Sequence, residues 1–232
     1  MKKILALLIL TLLFIPAFSQ EGEDYPVRLF ETSILIDNQT VTTPFKGMLE
    51  FEIHHRFGTV NNGLTDLYGL WGPANIRLGL NYAITDRLMI GAGTAKNYRA
   101  QDLAVKYALF RQTSSGSMPV SVTLYGNMGI NCLSEENFGP AHDWNEMHRL
   151  SYFSQVLVAR QFGTKLSVQL APTFIWLNAV EEGYKNGNYG FSAGAKYNVF
   201  GSHNIIMEYD QLLNKMENEE FNPKPQFAFG WE

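Results

Sequence analysis

Apolar and polar residues alternate with a period of two along most of the chain after residue 46. Leu49, Phe51 and Ile53 fall on one face of such a segment, and Glu50 and Glu52 fall on the other. Because successive side chains of a strand point to opposite faces, this pattern predicts a β-strand. The same pattern recurs in segments near 75–82, 88–95, 102–109, 120–131, 150–160, 166–176, 189–199, 204–210 and 227–231. The sequence therefore predicts an all-β chain of about ten strands, although the faces of 150–160 are mixed and cannot be assigned.

The segments between the predicted strands alternate in length. Long connections fall near 58–73, 132–147, 178–188 and 211–224, and short ones near 85–87, 161–164 and 200–203. The link at 97–100 is shorter than this scheme requires and the link at 112–118 is a little longer. Short turns at one end and long loops at the other are typical of antiparallel, up-and-down barrels of the outer membrane.

Alternation alone does not say which face of the sheet meets water. The polar faces carry much Gly, Ser, Asn and Ala and few charges, and several strands are long enough to cross a bilayer with tilt. Aromatic residues lie near strand ends, as in the girdles at membrane interfaces: Phe57, Tyr82, Tyr107, Phe162, Trp176, Tyr189 and Phe200. These features favour a transmembrane β-barrel with its apolar face outward, while a soluble barrel with its apolar face inward stays open as the alternative.

The N-terminus has the pattern of an export signal. Lys2 and Lys3 precede an apolar run from Ile4 to Phe18, and small residues at Ala17 and Ser19 fit a cleavage site. We therefore expect a signal peptide at 1–19, a short periplasmic N-terminal segment at 20–45, and the barrel at 46–232. An uncleaved N-terminal anchor is the alternative reading of the first segment.

Charge and cysteine content exclude some classes of function. Without residues 1–19 the chain has 16 basic and 22 acidic residues, a net charge of −6. Nucleic acid is therefore not an expected partner, because phosphate binding requires a basic surface. Cys132 is the single cysteine and cannot form an internal disulfide.

Charged residues on the predicted polar faces are the candidates for a functional lumen. His54 and His55 are adjacent, so on a strand they face opposite ways and cannot share a metal ion. The polar-face residues either form a site for an ion or solute, or pair with one another and fill a narrow lumen. The candidate lumen-lining residues are Glu50, Glu52, His54, Arg56, Arg77, Lys106, Lys196, Glu208 and Asp210.

The chain offers little that resembles a catalytic or metal site. The loop at 142–148 contains possible metal ligands, but its spacing does not match His-Glu-x-x-His. Ser151 follows His148 with Asp143 nearby, yet the sequence has no Gly-x-Ser-x-Gly elbow that would expose a serine nucleophile. We predict no metal, no cofactor and no enzymatic activity.

Several strings resemble a known family. Phe30 to Ile36, Lys46 to Gly58, Ala74 to Leu80 and Val105 to Gln112 are similar to segments of an uncharacterised outer-membrane β-barrel family of the Bacteroidota, domain of unknown function 5777. The resemblance covers nearly all of the chain after the export signal and implies an outer-membrane barrel without assigned site residues. It also implies a further hairpin beyond Trp231, so we expect a C-terminally truncated sequence with about twelve strands in the full protein.

The sequence leaves three functions open. The first is a narrow pore for small solutes, and the second is a structural or partner-docking barrel with a plugged lumen. The third is a soluble periplasmic barrel that binds an apolar ligand inside. For the first two the expected surroundings are outer-membrane lipid, and the small solute or protein partner is unknown.

Overall fold

The fold is a single antiparallel sheet of ten strands. The structure is a computed structural model, and it describes residues 24–58, 60–138, 144–216 and 218–232. The predicted signal peptide at 1–19 lies outside the described residues. The strands are β1 (Leu49–Arg56), β2 (Asn75–Ala83), β3 (Leu88–Ala95), β4 (Gln101–Phe110), β5 (Ser121–Ile130), β6 (Leu150–Phe162), β7 (Leu166–Leu177), β8 (Gly187–Phe200), β9 (His203–Leu212) and β10 (Gln226–Trp231).

Each strand pairs with the strands before and after it in the chain. The order in the sheet runs from β1 to β10 without crossovers, so the predicted up-and-down arrangement is confirmed. Among the described strands the ladders end at β1 and β10, which are the two edges of the sheet. Short 3-10 helices lie in the connections, at Val60–Asp66, Asn97–Arg99, Glu135–Phe138, Glu146–Arg149 and Glu219–Phe221.

All long connections project from one end of the sheet, which we call the loop end. They follow β1, β5, β7 and β9, and the shorter link after β3 lies at the same end. The opposite end, the turn end, carries the connections after β2, β4, β6 and β8. In the link after β4, the Thr113 amide donates to the Met118 carbonyl at 3.0 Å, which closes residues 113–118 into a compact turn.

Apolar side chains point away from the molecule and polar side chains point into it. Leu78, Ile90 and Phe174 are exposed, whereas Thr123 and Gln169 are buried. This is the reverse of a soluble barrel, in which the apolar face is withdrawn from water. The prediction that the apolar face is the outer face is therefore confirmed, and the soluble alternative is wrong on this point.

Residues 24–45 lie against the inner face of the sheet. Residues 33–40 form a small hairpin, in which Leu35 N donates to Asn38 O and Thr40 N donates to Ser33 O. We call residues 24–45 the N-terminal hairpin. These residues belong to the segment predicted at 20–45, and Leu29, Phe30 and Val41 are buried, while Tyr25 and Phe45 near its two ends are exposed.

An apolar cluster inside the sheet explains why the hairpin is held there. Leu29, Phe30 and Val41 of the hairpin pack with Tyr125 of β5 and Leu157 of β6. Phe30 is only 1% exposed. Burying an aromatic side chain in this way stabilises the packed state by about 1.5–3 kcal/mol. The faces of β6 could not be assigned from sequence because Leu157 and its neighbours place apolar side chains on the inner face as well as the outer one.

Candidate functional site

The nine predicted lumen residues all project from the inner face of the sheet. Glu50, Glu52, His54 and Arg56 follow one another at alternate positions of β1, as the period of two requires. The others come from β2, β4, β8 and β9: Arg77, Lys106, Lys196, Glu208 and Asp210. Of these four, Arg56 is the most exposed, and it lies at the loop end of β1.

An ion-pair cluster joins β1, β2 and β4. The Arg77 guanidinium donates to both carboxylate oxygens of Asp102, at 2.9 and 2.7 Å, and to Glu52 at 3.0 Å. Glu52 also accepts from the Asn81 side chain at 2.7 Å, and it lies 3.7 Å from the His54 ring. Bidentate pairing is the strong geometry for arginine and carboxylate. These charges therefore satisfy one another across the strands.

Room for this cluster is provided by a glycine. A methyl group at Gly93 would lie 2.4 Å from the Arg77 guanidinium and 2.5 Å from the Asp102 carboxylate. Any side chain at this position would displace one member of the ion pair. Gly93 is thus explained by the bulk of its neighbours on the inner face.

Lys106 connects β4 to the N-terminal hairpin. Its side chain is fully buried, and the ammonium donates to the carbonyl oxygens of Ser33 at 2.8 Å and Thr42 at 3.3 Å. The Ser33 hydroxyl in turn donates to the carboxylate of Glu50. A buried charge is stable only when such partners replace water. The hairpin backbone therefore occupies the positions that water or a solute would otherwise take around Lys106.

Glu208 and Asp210 hold the tip of the hairpin against β9. The Glu208 carboxylate accepts from the backbone amides of Ile36, Asp37 and Asn38 at 3.1–3.2 Å. The Asn38 side chain donates to Asp210 at 2.7 Å. Successive backbone amides that converge on one carboxylate form an anion-binding concavity. The tip is therefore fixed by charge-assisted hydrogen bonds.

Further ion pairs join the hairpin to strands near both edges of the sheet. Lys196 of β8 donates to Glu31 at 2.8 Å, and Arg56 of β1 donates to Asp37 at 2.8 Å. Together with the contacts of Glu208, these bonds tie one hairpin to β1 on one side and to β8 and β9 on the other. The hairpin thus links β1, at one edge of the sheet, to β8 and β9, near the other edge.

The first described residues are fixed at the turn end. Pro26 forms a bridge with Thr113, and the amide of Val27 donates to the Gln112 carbonyl at 2.8 Å. The Asp24 carboxylate accepts from Ser117 and Ser115 of the β4–β5 turn, and these hydrogen bonds lower its pKa below the ordinary value. The chain therefore enters at the turn end, runs toward the loop end and returns to β1.

Several uncharged inner residues were not among the sequence candidates. Gln169 donates to the Gln39 carbonyl at 2.7 Å and accepts from the Val41 amide at 2.9 Å. Thr123 donates to the Val41 carbonyl at 3.0 Å, and Gln155 donates to Thr173 at 3.0 Å. The sequence candidates are all charged or ionisable, whereas these uncharged polar residues lie on the same predicted faces, so the alternation of polar and apolar residues is the signal that identifies them.

Of the residues considered for catalysis or metal binding, the structure describes His148 and Ser151, and each has its own hydrogen-bond partner. Asp143 and His142 lie outside the described residues. His148 is within 3.0 Å of the Asn145 side chain, and Ser151 lies 3.5 Å from the Gly129 carbonyl. Among the residues that the structure describes, no group of three or more His, Cys, Asp or Glu side chains is placed to hold a metal ion.

A cavity of about 220 Å³ lies beside the hairpin tip. Asn38, Gln155, Thr173 and Asp210 contribute polar groups to its wall. A water molecule takes up about 30 Å³ of liquid volume, so a space of this size corresponds to about seven waters.

Comparison with known proteins gives one match. Residues 30–232 match the family of domain of unknown function 5777, which is described as a membrane bound beta barrel domain. The match begins at Phe30 and so includes the tip and return of the N-terminal hairpin. Neither the curated proteins nor the solved structures contain a match. In the described part of the chain, no helix has the length and apolar character needed to cross a membrane.

Proposed function

The chain belongs to the membrane-bound β-barrel family of domain of unknown function 5777, and we propose that it is an outer-membrane barrel whose lumen is closed by its own N-terminal hairpin. In this proposal the protein is a structural or partner-docking platform and not a passive pore. The observation that carries the proposal is the occupation of the inner face by residues 24–45. Lys106, Glu208 and Lys196 are all engaged by that segment.

The outer membrane is the membrane that best fits these features. Closed sheets with an apolar outer face are the β-structures that cross membranes, because every backbone group is then paired. Residues 1–19 have the pattern of an export signal, which supports transfer out of the cytoplasm. Outer-membrane lipid is therefore the proposed surrounding of the outer face.

The inner contacts argue against free passage of solute. A conducting lumen keeps its charged residues hydrated, whereas seven of the nine candidate residues contact the hairpin directly, all except His54 and Arg77. The apolar cluster around Phe30 fills part of the inner face with buried non-polar side chains. An ion would have to displace both the peptide and this cluster.

A second candidate function is a narrow pore that is gated by the hairpin. It is favoured by how residues 28–43 are attached to the strands. The strands contact this segment through their side chains, by hydrogen bonds and apolar packing, and not through their backbone. The hairpin can therefore move without breaking the ladders between strands.

Planar-bilayer conductance of the full chain tests the proposal. We expect the intact protein to show no steady conductance. The variant Phe30→Ala removes a ring from the inner cluster, and the matched control Phe229→Ala removes a ring that is 77% exposed on the outer face. Channel openings in Phe30→Ala but not in Phe229→Ala would establish the gated pore. The absence of conductance in both variants would support a structural or partner-docking barrel. Steady conductance of the intact chain would contradict a closed lumen.

A further inference from the structure

The loop that follows β1 differs from the other connections at the loop end. Residues 57–74 contain one charged residue, Asp66, whereas the connections after β5, β7 and β9 each contain several. Its large apolar side chains are exposed, with Leu64 at 74% and Trp71 at 72%. The exposed set is Phe57, Val60, Leu64, Leu67, Tyr68, Leu70 and Trp71. We call residues 57–74 the apolar loop.

The single charged side chain of the apolar loop, Asp66, is hydrogen-bonded within the loop. The Asp66 carboxylate accepts from the Asn62 side chain at 2.6 Å and from the Gly69 amide at 2.7 Å. A carboxylate that is satisfied locally is less costly to move out of water than a free one. The surface of the loop therefore consists mainly of apolar and aromatic groups.

The loop has a defined shape of its own. The amide of Gly58 donates to the Gly69 carbonyl at 2.9 Å, and Trp71 N donates to Asp66 O at 3.0 Å. A methyl group on Gly58 would lie 3.1 Å from that Gly69 oxygen and 3.2 Å from the Gly72 backbone, so the two sides of the neck touch. Leu67 and Tyr68 have positive φ values of 52° and 56°, which non-glycine residues rarely adopt. The loop thus holds its apolar side chains outward in a set conformation.

The apolar loop continues a surface that already faces lipid. Leu49, Phe51 and Ile53 form the exposed stripe of β1, and the rings of His55 and Phe57 extend it toward the loop, with 4.3 Å between their centroids. Ile76 and Leu78 begin the matching stripe on β2. In a membrane-bound barrel these stripes contact acyl chains, and aromatic residues such as Tyr and Trp favour the adjoining interface.

We propose that the apolar loop binds the membrane surface, with Leu64, Tyr68 and Trp71 immersed in the interfacial layer of the leaflet at the loop end. The partner is the phospholipid or glycolipid interface itself, because the loop has no exposed charge for a polar ligand and is continuous with the lipid-facing stripes. This anchoring is independent of the state of the N-terminal hairpin.

Depth-dependent quenching tests the proposal in the full chain reconstituted into phosphatidylcholine vesicles. An environment-sensitive fluorophore is attached to Leu64→Cys in a Cys132→Ser background. The matched control is the unaltered chain labelled at Cys132, which is exposed on the charged loop after β5. Lipids that carry a nitroxide near the headgroup, or near the end of the acyl chain, serve as quenchers.

We expect blue-shifted emission at Leu64→Cys and a loss of emission with the headgroup-proximal quencher, and neither change at Cys132. Water-like emission without quenching at Leu64→Cys would overturn the proposal. Blue-shifted emission without lipid quenching, accompanied by energy transfer between labelled copies, would also overturn it and show a protein contact. Leu70→Cys provides a second labelling position if Leu64→Cys does not give a folded barrel by heat-modifiable mobility.

Discussion

Removal of the Glu208 carboxylate should release the tip of the N-terminal hairpin. In Glu208→Ala, the amides of Ile36, Asp37 and Asn38 lose their common acceptor. A hydrogen bond to a charged group contributes about 1.5–3 kcal/mol. The contacts are 3.1–3.2 Å long and share two oxygens, at the long end of the usual range. If these contacts are counted as two hydrogen bonds at the lower value, Glu208→Ala lowers the free energy of docking of the hairpin tip by about 3 kcal/mol.

Hydrogen exchange measures this loss directly. A change of about 3 kcal/mol shifts the docking equilibrium by about 100-fold, since 1.4 kcal/mol corresponds to tenfold. The amides of residues 36–38 should exchange faster in Glu208→Ala by about that factor when opening and reclosing are fast compared with the exchange chemistry, because the rate then follows the docking equilibrium. Glu208→Gln retains one acceptor oxygen and should give a smaller increase. Glu219→Ala, which removes an exposed carboxylate from the β9–β10 connection, should give none.

The result that would refute this reasoning is equal protection of residues 36–38 in Glu208→Ala and in the intact chain. The comparison requires that both proteins be folded, which heat-modifiable mobility establishes independently. Equal protection would mean that the hairpin tip is held by something other than the carboxylate of β9.

Other contacts yield further expectations. Phe30→Ala should lower the free energy of unfolding in lipid by about 3 kcal/mol, measured by urea titration, because it empties a site in the inner cluster. Gly93→Ala should cost about 1–3 kcal/mol in the same assay, because its methyl group would separate Arg77 from Asp102; an unchanged midpoint would contradict the close approach. Hydrogen bonds from two serines of the β4–β5 turn lower the pKa of Asp24, so this anchor should persist at neutral pH and be lost as pH falls through that lowered pKa; a spin label beside Asp24 should become mobile only in acid, and mobility at neutral pH would contradict the anchor.

The strands could be predicted from the sequence because their faces differ sharply. In β2 the exposed residues Ile76, Leu78 and Leu80 alternate with Arg77 and Gly79, and the observed strand ends within about two residues of the predicted one. A lipid-facing sheet shows the same alternation of apolar and polar side chains as a sheet in a soluble protein, but its apolar side chains point outward. The few charges on the polar faces indicated that direction.

The N-terminal hairpin could not be predicted from local pattern. Its apolar residues Leu29, Phe30 and Val41 do not alternate as a long strand would, because they pack against side chains that are distant in sequence. The mixed faces of β6 were the available signal. Tyr125 and Leu157 point inward, and apolar side chains on a polar inner face require an apolar partner inside.

The charged candidates share the inner face of the sheet, but their partners depend on the fold. Asp102 of β4 pairs with Arg77 of β2, with β3 lying between these strands, and Glu208 accepts hydrogen bonds from backbone amides of the hairpin. Every residue except proline has a backbone N–H donor, so the sequence does not show which amides will bind a given carboxylate. A carboxylate bound by amides therefore looks the same in sequence as one that lines an open channel.

Thiol accessibility tests the central claim, that the N-terminal hairpin occupies the inside of the barrel. Ser33, which is 1% exposed, is replaced in Ser33→Cys with Cys132→Ser, and the control is the unaltered chain, whose Cys132 is exposed on the charged loop after β5. In vesicle-embedded protein, a charged, membrane-impermeant maleimide should label Cys132 of the unaltered chain rapidly and leave Ser33→Cys unlabelled until the barrel is unfolded. Equal labelling rates in the folded protein, with the reagent present on both sides of the vesicle, would show that the hairpin lies outside the barrel.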